Sequence, residues 1–331
     1  MIGIVALTLI LSGVFTHFIA PPSSSTGLLL VANKGDQTLS LIDPDATRQV
    51  ATVAEGGVTG HEVVASPDGK RAFVPIYGNS GVGMPGTDGS TMAVIDLGER
   101  RVIQTVDFGH GVRPHCAVFG PKDGLLYVTT ELDKSVTVID PGTLKIVGSV
   151  PTGQAESHML AISPDGRKGY TANVGPGTVS VLDLAERKIL TVIPVAAHVQ
   201  RISVSPDGHW IFTSDTEKAR LAVLDTATNK VDRSLDLPGT GYGTAPTPDG
   251  KWLLVAIPST NEVAIVDLAA MRVVRTSKVP SSPQEVVIRP DGRVAYISCS
   301  GSHKVAAIQI NDWSVKLIEA GPGADGLAWA Q

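Results

Sequence analysis

Short apolar runs alternate with polar residues along almost the whole chain, and the runs are too short for helices. The stretch AISPDGRKGYTANVGPGTVSVLDLAERK, Ala161 to Lys188, is representative. It reads as an apolar strand, a Pro-Asp-Gly turn, a second strand (GYTAN) and a third (VSVLD), with a fourth (KILTVI) after a further polar turn. Proline presets φ for such a turn, glycine accepts φ > 0, and alternating β-branched residues are the strand signature.

The same text returns. SPDG starts at Ser66, Ser163 and Ser205, TPDG at Thr247 and RPDG at Arg289, while GPKDG at Gly120 is the turn with one residue added. The turn prolines stand at 67, 121, 164, 206, 248 and 290, in steps of 54, 43, 42, 42 and 42. A period in the forties written in strands predicts propeller blades. Third strands number seven, from TLSLID to KVAAIQ. The first unit lacks a first strand, and GLAWAQ at the C-terminus is a first strand without a unit. Joining the two closes a ring of seven four-stranded blades and removes the exposed edges of an open array. The predicted fold is therefore all-β, one seven-bladed propeller over residues 27–331. Asp43, Asp96, Asp140, Asp183, Asp225 and Asp267 recur where third strands meet turns, and are expected to accept hydrogen bonds from turn backbone, as are the Pro-Asp-Gly aspartates.

Residues 1–20 (MIGIVALTLILSGVFTHFIA) are mostly apolar and precede the polar linker 21–26. They resemble a secretory leader, and their length also suits an N-terminal anchor. The expectation is a periplasmic or extracellular protein, tethered to a membrane only if that segment is retained. A net charge of −5 without a basic run argues against nucleic acid as a partner. Cys116 and Cys299 are the two cysteines; no CxxC or CxxCH occurs. They fall on blades far apart around the ring, so no disulfide is expected, and Cys116 reads as a buried packing residue.

The second-strand texts YTAN, YVTT and LVAN, with SPDG and VSVLD, resemble the YVTN family of seven-bladed propellers, related to surface-layer and periplasmic propeller proteins. The resemblance covers Gly27 to Gln331. It implies the propeller fold and a range of functions, from non-catalytic ligand binding and scaffolding to the lactonases, haem d1 domains and copper oxidases among wider relatives. A haem-type cofactor held by one of the histidines below is thus one implied option. Fold alone does not choose among these, so function rests on the site.

The copies differ at the residue six places before each turn proline, where the innermost strand begins beside the central channel. That position reads His61, His115, His158, Gln200, Tyr242, Gln284 and, aligned through GLAWAQ, Asp325. His198 lies two residues before Gln200. Imidazoles at neighbouring ring positions are natural ligands for zinc, copper or iron, with His61, His115 and His158 on the metal and His198 as fourth ligand or proton carrier. The alternative is that they hydrogen-bond neighbouring loops or point into separate blade interfaces, since strand side chains alternate. Glu62, Glu156 and Glu285 flank the same mouth; Glu62 or Glu156 could act as general base on metal-bound water. Arg113 and Arg201 could clamp a carboxylate, and Gln200, Tyr242, Gln284 and Asp325 complete the ligand-facing set. A 12-residue insertion forms a glycine-rich loop, Gly78 to Ser90, able to cover the histidines. Two classes of function follow: a metal-dependent lactonase or oxidase, or a non-catalytic propeller binding a small molecule or a protein on this face. A monomer is expected.

Overall fold

A computed structural model describes residues 27–331; the leader 1–20 and linker 21–26 lie outside the described residues. Twenty-eight strands form seven antiparallel four-stranded sheets. Blade 1 contains β1 (Leu28–Asn33), β2 (Thr38–Asp43) and β3 (Arg48–Ala54). Blade 2 contains β4 (Val64–Ala65), β5 (Arg71–Gly78), β6 (Asp88–Asp96) and β7 (Arg101–Asp107). Blade 3 follows with β8 (Pro114–Phe119), β9 (Leu126–Thr130), β10 (Ser135–Asp140) and β11 (Lys145–Pro151). In blade 4 these are β12 (Ser157–Ile162), β13 (Lys168–Asn173), β14 (Thr178–Asp183) and β15 (Lys188–Pro194), and in blade 5 β16 (Val199–Val204), β17 (Trp210–Asp215), β18 (Arg220–Asp225) and β19 (Lys230–Asp236). Blade 6 has β20 (Thr244–Pro246), β21 (Trp252–Ile257), β22 (Glu262–Asp267) and β23 (Arg272–Lys278); blade 7 has β24 (Pro283–Ile288), β25 (Val294–Cys299), β26 (Lys304–Gln309) and β27 (Val315–Glu319). The last strand, β28 (Ala324–Ala330), pairs antiparallel with β1, Leu29 opposite Trp329 and Val31 opposite Leu327, so blade 1 is completed by both ends of the propeller sequence. Among the described residues there is no helix, and so none long and apolar enough to cross a membrane.

The turns behave as their residues require. In the five Pro-Asp-Gly turns glycine φ lies between +66° and +74°, the left-handed region that favours glycine. Where Ser or Thr precedes the proline, its hydroxyl donates to the turn aspartate, as in Ser66–Asp68 at 2.6 Å and Ser163–Asp165 at 2.6 Å. These hydroxyl and backbone bonds hold Asp68 and Asp165 below the ordinary carboxylate value. All six aspartates at the third-strand ends accept backbone N–H groups, for example Asp43 from Ala46 and Asp267 from Ala269 and Ala270. The aromatic that opens most second strands, as in Phe73, Tyr127, Tyr170, Phe212 and Tyr296, is buried in the core between blades. Cys116 and Cys299 are free and buried, Cys116 in the apolar cluster shared by blades 3, 4 and 5.

The insertion in blade 2 departs from the expected loop. Much of it lengthens the hairpin: β5 runs to Gly78 and β6 starts at Asp88, leaving residues 79–87 as loop. Gly78 sits opposite Asp88 with φ +112° beyond a register shift, and a Cβ there would meet the Thr87 carbonyl at 2.0 Å.

Candidate functional site

The seven positions six residues before the turns come together at one end of the channel. Five of them lie inside the innermost strands, at the second residue of β8, β12, β16, β24 and β28, while His61 and Tyr242 precede the shorter β4 and β20. Pairing breaks register at these same places: between Pro114 and Ala117, Ser157 and Met159, Val199 and Ile202, and Pro283 and Val286. Regular strands would send consecutive side chains to opposite faces, but a bulge re-aims them. Both Gln200 and Arg201, and Glu285 after Gln284, are thereby available to the mouth.

His61, His115 and His158 meet. The His61 and His115 rings lie edge to face at 5.5 Å between centroids, and His115 stacks on His158 at 3.5 Å. Tyr77, the last but one residue of β5, stacks on His61 at 4.7 Å and meets His115 edge-on at 5.3 Å. Its hydroxyl donates to Glu131 Oε2 at 2.8 Å, and the other Glu131 oxygen pairs with His158 Nδ1. Gln200 Nε2 donates to His158 Nε2 at 3.2 Å, so both nitrogens of His158 are engaged. His115 Nδ1, by contrast, is buried without a hydrogen-bond partner, on a side chain only 1% exposed. Burial lowers His61 to about 3 and His115 well below the ordinary imidazole value, so both stay neutral near pH 7.

Arg201 crosses the channel. From blade 5 it reaches Glu62 of blade 2 (Nη1–Oε1, 2.5 Å), Glu285 of blade 7, and Asp325 of blade 1 (Nη2–Oδ1, 3.3 Å). Its guanidinium lies 5.0 Å from the Tyr242 ring centroid and 3.6 Å from Met159 Sδ. Lys34 Nζ sits 3.2 Å from Asp325 Oδ2. Burial raises Glu62 to about 8 in spite of Arg201, and raises Glu285; against burial, Lys34 and Arg201 hold Asp325 below its ordinary value. Gly326 permits this crossing, since a Cβ there would lie 2.5 Å from the His61 carbonyl and 2.6 Å from Glu62 Cα.

The remaining candidates stand elsewhere. Arg113 holds the loop 79–87: Nε pairs with Asp88 at 2.6 Å and Nη2 donates to the Met84 carbonyl at 2.8 Å, with the guanidinium 5.9 Å from the Tyr77 ring. Glu156 accepts from Gly175 N at 2.8 Å and lies against Gly83, where a Cβ would be 2.7 Å from its Oε1. The loop thus spans from blade 2 over residues of blades 3 and 4. His198 Nδ1 pairs with Glu217 at 2.8 Å on a side chain 43% exposed, apart from the three stacked rings. Among the described residues no group of three or more His, Cys, Asp or Glu is arranged to hold a metal ion.

Lys34, Tyr77 and Glu131 escaped the sequence reading. All three occupy one repeat position, the residue right after YVTN-like text: LVAN-Lys34, FVPI-Tyr77 and YVTT-Glu131. Comparing that position between copies, as was done before the turn prolines, would have found them.

These features define a seven-bladed propeller with a polar, histidine-bearing mouth at one end of its channel. The family described as Cytochrome D1 heme domain matches residues 119–310, more than half of the chain, and the protein belongs to that family. No curated protein sequence matches. Among solved structures, hydrazine synthase of Kuenenia stuttgartiensis aligns with a TM-score of 0.72 at 19% identity, covering 90% of this chain and 100% of that one. A functionally unknown protein from Desulfotomaculum acetoxidans DSM 771 aligns with a TM-score of 0.76 at 14% identity, covering 92% and 99%. Likeness at this level shows the shared fold.

Neither His115 nor His158 fits the axial position of a haem. An axial imidazole needs a free nitrogen facing open space. Both nitrogens of His158 are taken, and the His115 ring is covered on one face by His158 at 3.5 Å and flanked edge-on by Tyr77 and His61.

Proposed function

We propose that the protein is a non-catalytic binding propeller, exported by its apolar leader, that takes a small polar molecule at the mouth formed by His61, Gln200, Tyr242 and Gln284 beneath the loop 79–87. The observation that supports this reading is the convergence of polar side chains from all seven blades on one end of the channel. Behind that partly open rim lie the buried side chains of Arg201, Glu62, Asp325, His115 and His158. A rigid ring whose polar groups are already held in place is suited to recognising a ligand at low ordering cost. Binding is favoured over hydrolysis because the two carboxylates suited to a general base have other partners. Glu62 lies on Arg201, and Glu156 on the backbone of Gly175 beside Gly83.

A second reading, a transition-metal site on His61 and His115, draws on the unpartnered Nδ1 of buried His115. It requires the stacked rings to part.

One experiment addresses both. Untagged protein is screened by thermal shift against small polar molecules, and its metal content is measured by elemental analysis. The binding reading expects ligands whose stabilising effect disappears in Gln200→Ala without stoichiometric metal. A stoichiometric metal lost in His115→Ala would replace it with the metal reading. Stabilisation that survives Gln200→Ala and His61→Ala would contradict a site at this mouth.

A further inference from the structure

Resting on the proposed binding role, a chain of hydrogen bonds at the mouth narrows the ligand class. It starts at the Tyr77 hydroxyl, which donates to Glu131 Oε2 at 2.8 Å, while Glu131 Oε1 pairs with His158 Nδ1. Glu131 and His158 are each 2% exposed at the side chain, so bulk water does not compete for these bonds. The far nitrogen of the same ring, Nε2, lies 3.2 Å from Gln200 Nε2.

One placement of protons satisfies every member of this chain. An amide nitrogen donates and cannot accept, so His158 Nε2 must offer its lone pair to Gln200. The proton of the neutral ring then sits on Nδ1 and is donated to Glu131, whose two oxygens each accept one donor. The reverse, a protonated Glu131 donating to Nδ1, would set the ring proton on Nε2 against the amide hydrogens of Gln200. Nitrogen and oxygen lie on opposite branches of the amide, so holding the Gln200 nitrogen on His158 turns the carbonyl oxygen away from that ring. Among the described residues this Oε1 has no hydrogen-bond partner, and Gln200 is only half-buried at the rim.

Gln284, from blade 7, repeats the orientation. Its Nε2 donates to the Ser282 carbonyl at 3.4 Å, and its own carbonyl oxygen has no hydrogen-bond partner among the described residues. The ionic groups of the channel, by contrast, already pair with one another, Arg201 and Lys34 against Glu285 and Asp325.

We infer that Glu131 is a positioning residue that, acting through His158, sets the hydrogen-bonding sense of the mouth: the carbonyl oxygens of Gln200 and Gln284 face the ligand, which is an uncharged molecule donating to them through an amide N–H or a hydroxyl.

Nitrogen nuclear magnetic resonance of the full chain, labelled at its histidine rings, tests the positioning role. The His158 signals, identified by their loss in His158→Gln, are expected to show a protonated Nδ1 and a bare Nε2. A protonated Nε2 would overturn the proposal whatever the protein binds. Glu131→Gln should release the ring from that single tautomer. Titration with γ-butyrolactam and γ-butyrolactone tests the selection, since the two rings share a shape and a carbonyl and differ by an N–H against an oxygen. The lactam is expected to bind roughly tenfold more tightly, the difference between a hydrogen bond made and an acceptor left unpaired. That preference should shrink in Glu131→Gln and in Gln200→Ala. Lactone binding as tight as lactam binding would overturn the donor class while leaving the site. If neither ring binds, the selection falls, and the binding role falls with it only when the thermal-shift screen also yields no ligand that depends on Gln200.

Discussion

Arg201 and Glu62 meet across the channel, Nη1 to Oε1 at 2.5 Å, although blade 5 carries one and blade 2 the other. The contact ties together parts of the ring that share no sheet. The same guanidinium reaches blades 7 and 1 through Glu285 and Asp325, so a single side chain draws four blades to one point. Arg201→Met leaves three buried carboxylates without their shared cation. Loss of one partner of a buried ion pair typically costs about 3–5 kcal/mol. Chemical denaturation is expected to show an unfolding free energy lower by that order, partly restored when Glu62→Gln is added.

Stability should depend on pH in two opposed ways. Burial raises Glu62 from 4.5 to about 8, and raises Glu55, the buried residue after β3 that accepts from Gly60 N at 2.9 Å, from 4.5 to about 7, so the folded state holds protons that the unfolded chain has released. Their contribution is full below 4.5 and is lost as pH rises through 7 and 8. His61, lowered from 6.5 to about 3, works the other way: its contribution is present above 6.5 and is lost as pH falls toward 3. Above 6.5 only the glutamates act, and stability should fall as pH rises while either is still titrating. Melting curves across pH 6.5 to 8 check this, and Glu62→Gln should flatten the decline.

The loop 79–87 should shield the histidine cluster. Arg113 grips it through Asp88 and the Met84 carbonyl, so Arg113→Ala should loosen it. Acylation of His61 and His158 by diethylpyrocarbonate, followed by mass spectrometry, is expected to accelerate several-fold in that variant. His209, paired with Asp225 outside the mouth, should react at an unchanged rate. Equal rates at His61 and His158 in both proteins would deny the loop a covering role.

Ring closure rests on β28. Removing Ala324–Gln331 strips β1 of its partner and leaves an unpaired inner edge, and also deletes Asp325 from the ion cluster. The truncated protein is expected to lose its cooperative thermal transition and to aggregate, measured by circular dichroism and light scattering.

The ring was legible in the sequence because its blades repeat. Turn prolines 42 residues apart and a stray GLAWAQ strand were enough for blade number and closure. The mouth was legible only in part. Counting back from each turn found His61, His115, His158, Gln200, Tyr242, Gln284 and Asp325, because one register places them on one rim. The partners across the channel were not legible. Whether Arg201 reaches Glu62 depends on local bulges, side-chain length and the gap left by Gly326, none of which leaves a periodic trace. Arg113 and Glu156 looked like ligand-facing charges, yet their left-handed backbone, φ +51° and +54°, and their contacts set them under the insertion loop. His198 lies near Gln200 in sequence, yet it turns outward to Glu217.

The central claim is that the mouth binds a small polar molecule, and nuclear magnetic resonance of protein labelled at its histidine rings tests it most directly. Titration with a polar molecule that stabilises the protein in the thermal-shift screen should shift the ring signals of His61 and His158 and leave those of exposed His110, paired with Asp133, and of His209 in place. Shifts confined to His110 and His209, or no shift at any ring, would contradict it.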